Sequence, residues 1–149
     1  MSKPWLLDVN VLLAWLWPAH EVHTAANIWM NNHRDEPWAT CPITEMGFLR
    51  ILTNQSFSPD APKWAEAVEI LRKHTNGNPN HCFWEDSLSL AEVDRRLGSR
   101  IKGPNQITDA YLLSLAAQHK GRFVTFDHRT HSLAPKESAE QGALVILRA

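Results

Sequence analysis

Four acidic residues of this chain lie where their carboxylates could act together. Asp8 and Asp127 each follow a short apolar run, whereas Glu45 and Asp109 stand in what the sequence predicts to be the first turns of two helices. Carboxylates that converge raise one another's pKa, and hard divalent cations such as Mg²⁺ relieve that repulsion. The four residues therefore predict an acidic site that binds a divalent cation.

Each of these acids, taken singly, also has a purely structural explanation. An aspartate after a strand is a common turn or helix-capping residue. An acid in the first turn of a helix is stabilised by the helix dipole by about 0.3–1 kcal/mol. The prediction of a shared site depends on the joint placement of all four.

The sequence favours Mg²⁺, with Mn²⁺ as a second candidate, over zinc. Two histidine pairs, His20 with His23 and His128 with His131, are spaced i, i+3, but the sequence places no third or fourth ligand near either pair. The two cysteines form no CxxC pair. Carboxylates are thus the ligands that the sequence offers.

The elements that must position the acids alternate between strands and helices. Short apolar runs predict strands over residues 4–7, 37–41, 82–84, 122–126 and 144–147. Helical patterns cover residues 11–17, 20–32, 61–74, 88–97 and 105–119, and a further helix is predicted to be capped by Thr44. The alternation predicts an α/β protein, a three-layer α/β/α sandwich around a mostly parallel five-stranded sheet. In such sheets, sites form beyond the carboxyl ends of the strands, where the strand order reverses.

Size and composition indicate one globular domain over residues 1–149. The chain has 16 acidic and 15 basic residues and a formal charge of −1, which excludes nucleic-acid binding by bulk positive charge alone. No apolar run is long enough to span a bilayer, and no signal peptide is recognisable. We therefore expect a cytoplasmic protein without a membrane segment.

Four segments of the chain resemble the PIN-domain nucleases, and in particular the VapC-type toxins of prokaryotic toxin–antitoxin pairs. The order and spacing of the segments match the family from end to end. They are residues 7–12 (LDVNVL), 44–50 (TEMGFLR), 107–113 (ITDAYLL) and 124–127 (VTFD). The resemblance implies a PIN-like fold and a magnesium-dependent endoribonuclease that acts on tRNA, rRNA or mRNA.

The resemblance also implies roles for individual residues and partners. Asp8, Glu45, Asp109 and Asp127 match the acidic quartet of the family, with Asp8 and Asp109 as the expected direct magnesium ligands. Asn10 and Thr125 match polar positions that support the quartet, and Arg50 matches an arginine that is often near the site. The implied partners are an RNA substrate, a small VapB-like antitoxin that blocks the pocket, and a second copy of the chain in a homodimer.

A basic cluster precedes the predicted helix that carries Asp109. Without the four site acids, 12 acidic residues remain against 15 basic ones, so the rest of the chain carries a charge of +3. A local patch could therefore bind RNA phosphates, although a solvated helix face next to Asp94 explains the same residues equally well. The cluster consists of Arg95, Arg96, Arg100 and Lys102.

Other functional classes remain to be separated from the nuclease. An aspartyl-phosphate phosphatase needs an acid two residues after the nucleophilic aspartate, and Asn10 occupies that position. The serious alternative is a catalytically silent RNA- or protein-binding module on the same fold. Such a module would keep its RNA affinity when Asp8 is replaced by Asn, whereas a nuclease would lose cleavage.

Overall fold

The computed structural model describes residues 3–149 and confirms the α/β class. Within these residues, five strands form one sheet in the order β3-β2-β1-β4-β5, and every neighbouring pair is parallel. The sheet is thus entirely parallel, where the sequence predicted a mostly parallel one. The strands are β1 (Trp5–Leu7), β2 (Trp38–Thr40), β3 (His81–Phe83), β4 (Arg122–Thr125) and β5 (Leu144–Ile146).

Helices connect the strands and cover both faces of the sheet. Their bounds are α1 (Val9–Leu16), α2 (His23–Asn32), α3 (Pro42–Leu52), α4 (Trp64–Thr75), α5 (Leu90–Leu97), α6 (Ile107–Gln118) and α7 (Ala139–Ala143). Short 3₁₀ turns lie at Gly98–Arg100, Pro104–Gln106 and His128–Leu133. The short helix α7 was not predicted from the sequence. No helix within residues 3–149 is long and apolar enough to traverse a bilayer.

The predicted N-terminal caps of two helices are wrong, and four other predicted helix starts differ from the observed ones by two or three residues. Helix α3 begins at Pro42 after Cys41 and not at Thr44, because proline is well suited to a first turn in which its missing N–H would be unpaired anyway. The Thr44 hydroxyl instead accepts a hydrogen bond from the backbone N–H of Cys41 at 3.0 Å. Asn105 caps nothing, since it lies inside the 3₁₀ turn that leads directly into α6.

The core is divided between the two faces of the sheet. Successive side chains of a strand point to opposite faces, so Leu6 packs with Leu112 of α6 while the adjacent Leu7 packs with Leu12 and Phe48 of α1 and α3. All of these leucines and the phenylalanine are fully buried. The three-layer arrangement predicted from the sequence is therefore present.

The strand order fixes where a site can form. β1 is the central strand, with β2 on one side and β4 on the other. Crossovers leave β1 in one direction for β2 and β3, and the later strands β4 and β5 lie on the opposite side. This reversal opens a crevice beyond the carboxyl ends of β1 and β4, where Asp8 and Asp127 follow their strands.

Candidate active site

Asp8 is a buried carboxylate at the carboxyl end of β1, with only 7% of its surface exposed. Its Oδ1 accepts a hydrogen bond from the backbone N–H of Val9 at 2.8 Å and thereby caps α1. Its Oδ2 accepts a hydrogen bond from the hydroxyl of Thr125 at 2.7 Å. Because both oxygens have partners, the orientation of the Asp8 carboxylate is fixed.

Thr125 and Asn10 connect the ends of β1 and β4. Asn10 Nδ2 donates to Thr125 Oγ1 at 3.1 Å, and Asn10 Oδ1 accepts from the backbone N–H of Phe126 at 3.2 Å. Thr125 Oγ1 also accepts from the backbone N–H of Asp127 at 3.0 Å. This network holds the backbone of Asp127 close to Asp8, which is the kind of contact that a supporting role for Asn10 and Thr125 requires.

Asp109 completes a group of three coupled aspartates. It lies in the first turn of α6 and is half-buried. Burial, and then the charges of Asp8 and Asp127, raise the pKa of Asp109 to about 7. Burial also raises the pKa of Asp8, although its hydrogen bonds from Thr125 and Val9 oppose that shift. The three carboxylates therefore lie close enough to interact electrostatically.

Arg129 is a site residue that the sequence reasoning missed. Its Nε donates to Asp127 Oδ1 and its Nη2 to Asp127 Oδ2, both at 3.0 Å, while its backbone N–H donates to Oδ1 at 2.9 Å. These contacts lower the pKa of Asp127. The signal was present in the sequence, because an arginine two residues after an acid at a strand end can fold back onto it. The Arg129 side chain is 80% exposed.

Glu45 is oriented towards a different set of partners. Its Oε2 accepts a hydrogen bond from the hydroxyl of Thr40 at 2.6 Å. Thr40 Oγ1 also lies 2.7 Å from His81 Nε2, and because the threonine hydrogen is directed at Glu45, the histidine is the donor of this second bond. The structure thus brings together Asp8, Asp109 and Asp127, while the Glu45 carboxylate accepts its hydrogen bond from Thr40 of β2.

Gly47 allows the helix of Glu45 to approach the start of α1. A Cβ atom at residue 47 would lie 2.6 Å from Val9 Cγ2, so any larger side chain would push α3 away from α1. Val9 directly follows Asp8 in the chain. The close approach therefore keeps the first turn of α3 near the aspartate cluster even though Glu45 hydrogen-bonds elsewhere.

A polar cavity of about 240 Å³ opens beside the cluster. Asp109 and Asp127 line it, together with Lys102, Gln106 and Arg129. Lys102 was predicted to contact RNA phosphates, and its place in this cavity is consistent with that prediction. We call this space the acidic cavity.

The remaining basic residues of the predicted set lie in other environments. Arg96 forms a bidentate ion pair with the buried Glu140, and Arg95 pairs with Glu92 at 2.8 Å on the surface of α5. Arg100 donates to the backbone oxygen of Ser132 at 3.3 Å. Arg50 is exposed and forms no ion pair with any residue of the described range 3–149. The structure does not gather these arginines around the acidic cavity.

The donor set of the site suits a hard divalent cation. Mg²⁺ usually takes one or two carboxylates directly and completes its octahedron with water, and Asp8 and Asp109 can supply two. Across residues 3–149, no three His, Cys, Asp or Glu side chains already stand as a ready-made ligand group. Both Asp127 oxygens accept hydrogen bonds from Arg129, so the guanidinium competes with a cation for this carboxylate.

Comparison with known proteins agrees with this architecture. The family model described as PIN domain matches residues 5–136. Ribonuclease VapC44 of Mycobacterium tuberculosis is 42% identical over 125 residues, which are 82% of this chain and 84% of the relative. Ribonuclease VapC39 is 37% identical over 142 residues, 95% and 98% of the two chains, and Ribonuclease VapC38 is 40% identical over 138 residues, 91% and 95%. Both come from the same species.

Proposed function

The chain belongs to the PIN-domain family, with VapC-type relatives that match most of its length, and from this premise we propose that it is a toxin of the VapC type that cleaves RNA internally with the help of a divalent cation. The observation that carries the proposal is that Thr125 joins Asp8 to the backbone of Asp127, and that Asp127 and Asp109 line one cavity at the reversal point of the sheet. Buried carboxylates that repel one another destabilise a fold, so their grouping is best explained by a positive ligand.

Asp8 and Asp109 would bind Mg²⁺ or Mn²⁺ directly, and Asp127 would reach the ion through water after Arg129 withdraws. A divalent cation supplies Lewis acidity at the phosphate and makes water a better nucleophile. Thr125 and Asn10 keep Asp8 in its orientation through bonds of 2.7 and 3.1 Å. Preorganised ligands of this kind avoid reorganisation during the reaction.

Lys102 and Arg129 would bind the negatively charged RNA backbone at the acidic cavity. Both line the cavity, and Arg129 bonds only to Asp127 among the described side chains. When a cation neutralises the aspartates, the guanidinium can exchange the Asp127 carboxylate for phosphate oxygens, which it binds with the same bidentate geometry. Glu45 would join the site by rotating away from Thr40, and its role in orienting water is part of the proposal.

Further parts of the proposal follow from family membership. A small VapB-like antitoxin would inhibit the enzyme by covering the acidic cavity, the active form would be a homodimer, and the protein would act in the cytoplasm on tRNA, rRNA or mRNA. The names of the relatives support the ribonuclease activity. The choice among RNA classes depends on contacts outside the three aspartates, because phosphate contacts position RNA without specifying its sequence.

The proposal is tested by RNA cleavage with purified protein and millimolar Mg²⁺. Wild type should cut a single-stranded RNA, and Asp8→Asn and Asp109→Asn should each reduce the rate by roughly a thousandfold, since several kcal/mol of transition-state stabilisation depend on the ion. Asn also caps helices, so Asp8→Asn should fold. Asp60→Asn, in an exposed loop, is the matched control.

The alternative of a silent binding module predicts a different outcome. A chain that binds RNA tightly but yields no cleavage ends, in wild type and variants alike, would be such a module. Cleavage that survives unchanged in both aspartate variants would show that the activity comes from a contaminant.

A further inference from the structure

A second cavity lies next to the acidic cavity, on the other side of the first turn of α6. It has a volume of about 370 Å³, and its apolar walls come from Ile43, Leu88, Leu90 and Ile107. Ile107 is on the same helix as Asp109 and only two residues before it. We call this space the α6 cavity, and its position places it within the reach of an RNA strand that crosses the aspartates.

Besides the Thr108 side chain, two polar groups line this largely apolar cavity. Tyr111 is 4% exposed, and its buried hydroxyl has no hydrogen-bond partner among the described residues. Asp86, in the segment between β3 and α5, contributes a carboxyl group, and burial raises its pKa. A buried hydroxyl without a partner is uncommon in native structures. The pair therefore indicates that the cavity accommodates a ligand with hydrogen-bonding groups.

We propose that the α6 cavity binds one unpaired nucleobase of the RNA substrate next to the cleaved phosphate, and that it prefers guanine. This proposal rests on the ribonuclease function proposed above. Single-stranded RNA is read in this way, with the base splayed out, packed against apolar or aromatic side chains and hydrogen-bonded along its edge. The volume is within the range of about 300–1,000 Å³ that small-ligand pockets occupy.

The chemistry of the lining favours a base over the other possible occupants. The Asp86 carboxylate can accept two N–H groups from the Watson–Crick edge of guanine, which is the base that presents two such donors side by side. The Tyr111 hydroxyl can donate to a ring nitrogen or carbonyl. A phosphate would be repelled by Asp86, and an aliphatic side chain from a protein partner would leave the buried Tyr111 hydroxyl unpaired.

Exposure at the cavity mouth agrees with an open binding site. Leu90 is 55% exposed and Ile107 is 47% exposed, although both are large apolar residues. They stand on different elements, α5 and the start of α6, and flank the opening. A flat aromatic base entering between them would cover both side chains.

The test measures binding of labelled single-stranded octanucleotides by fluorescence anisotropy in Mg²⁺, using Asp109→Asn protein so that no RNA is cut. One oligonucleotide is all uridine, and the others carry a single guanine, adenine or cytosine. The guanine oligonucleotide should bind about tenfold more tightly than the all-uridine one, as expected for a bidentate base contact. Adding Tyr111→Phe or Asp86→Asn should reduce this preference to about twofold or less.

The matched control is Asp60→Asn in the same background, which should keep the full preference. A guanine preference that is equal in the control and in both cavity variants would overturn the proposal, as would the absence of any base preference. Tyr111→Phe removes only a hydroxyl, so its circular dichroism and melting curve should match the parent protein. Wild-type cleavage of the same oligonucleotides reports separately on the proposed function.

Two further outcomes would reject a nucleobase in the α6 cavity. If Leu90→Asp converts a dimer to a monomer in sedimentation while base preference is absent, the cavity is a contact between two copies and the proposal fails. If RNA is cut at Asp109-dependent sites but without regard to base, the ribonuclease function stands and the nucleobase site is rejected.

Discussion

Two regions of this protein bury carboxylates and treat them in opposite ways. Glu140 of α7 is 1% exposed, and both of its oxygens accept from Nε and Nη2 of Arg96 at 2.8–3.2 Å. In the aspartate cluster, Asp8 and Asp109 have only neutral donors or no donor, and they repel each other. The first region neutralises its buried carboxylate with an arginine of the same chain. The aspartate cluster leaves its negative charge to be neutralised by a ligand.

The comparison distinguishes a buried carboxylate that is paired within the fold from a buried carboxylate that remains able to bind a ligand. A buried acid with a bidentate arginine leaves little reason for an ion to bind, because the positive charge is already present. A buried acid held only by Thr125 and a backbone N–H keeps lone pairs available. Arg129 is intermediate, since it neutralises Asp127 but does so from an exposed position.

The largest effect should come from Asp109→Asn on stability without divalent cations. The pKa of Asp109 is about 7 in the fold against 3.8 when unperturbed, so its ionisation favours the unfolded state. The penalty is small below pH 4, grows up to pH 7 and is then constant. At pH 8 in chelator, Asp109→Asn should therefore stabilise the protein, by roughly 3 kcal/mol, as measured by urea unfolding.

The pH series supplies the control for that prediction. Near pH 4 the difference in free energy of unfolding between variant and wild type should shrink to about 0.5 kcal/mol, because Asp109 is protonated in the fold and about 40% protonated in the unfolded chain. Asp60→Asn should change little at either pH. A variant that is less stable than wild type at pH 8 would contradict the repulsion inferred for the cluster.

Arg96→Met should give the next largest effect, in the opposite direction. The substitution keeps an apolar stem on α5 but leaves the Glu140 carboxylate buried without its partner. Loss of one partner of a buried pair costs several kcal/mol, and because the Arg96 side chain is 48% exposed we expect about 2 kcal/mol. Arg95→Met, which removes only a surface partner of Glu92, is the matched control for thermal unfolding.

The double variant Arg96→Met with Glu140→Leu tests why Arg96→Met loses stability. If the loss in Arg96→Met comes from an unpaired buried charge, replacing Glu140 as well should restore most of the stability. A double variant that is less stable than the single one would instead assign the loss to packing.

The contrast between the regions also explains what the sequence could and could not predict. Asp8, Asp109 and Asp127 were predicted from local signals, because each stands at the end of a strand or in the first turn of a helix. The parallel sheet followed from the alternation of elements. Glu140 and its partner Arg96 are 44 residues apart, and the short helix α7 that carries Glu140 has no strong local pattern. The sequence therefore left two interpretations of Arg96 open, contact with RNA phosphates and a solvated helix face, and neither of them is a bond to Glu140.

Side-chain orientation was the other limit of sequence reasoning. Glu45 was correctly predicted in the first turn of α3, but its hydrogen bond to Thr40 depends on how β2 lies beside β3. The sequence predicted Thr44 as the cap of α3, whereas the structure has Cys41 in that position. The local pattern permits either residue, so tertiary packing decides between them. Local rules thus placed residues on elements, and tertiary packing decided which atoms meet.

Binding of Mg²⁺ or Mn²⁺ should produce a moderate stabilisation that only the aspartate cluster can generate. At pH 8, an ion at ten times its dissociation constant should add about 1.4 kcal/mol to the free energy of unfolding. The shift should vanish in Asp109→Asn and persist in Glu140→Gln, because Glu140 offers no free charge. An equal shift in Asp109→Asn and wild type would show that the ion binds elsewhere.

The smallest effect should come from Arg129→Gln. Arg129 is the intermediate case, because it neutralises Asp127 from an exposed position. Removing the guanidinium frees both oxygens of Asp127 and withdraws a positive charge from the cluster. Exposed ion pairs contribute little, so the affinity for Mn²⁺ without RNA should rise by only roughly two- to fivefold in calorimetry. Arg95→Gln, another exposed arginine with one acidic partner, should leave that affinity unchanged.

The same variant should bind RNA more weakly if Arg129 moves from Asp127 to a phosphate. With Asp109 intact and Ca²⁺ in place of Mg²⁺, so that a cation binds the aspartates without supporting cleavage, the slope of log affinity against log salt should become shallower by about one, as expected for the loss of one phosphate contact. A higher affinity for Mn²⁺ together with a lower affinity for RNA would identify Arg129 as a residue that exchanges one partner for the other. An arginine that served only to neutralise Asp127 would raise the Mn²⁺ affinity and leave the salt slope as it was.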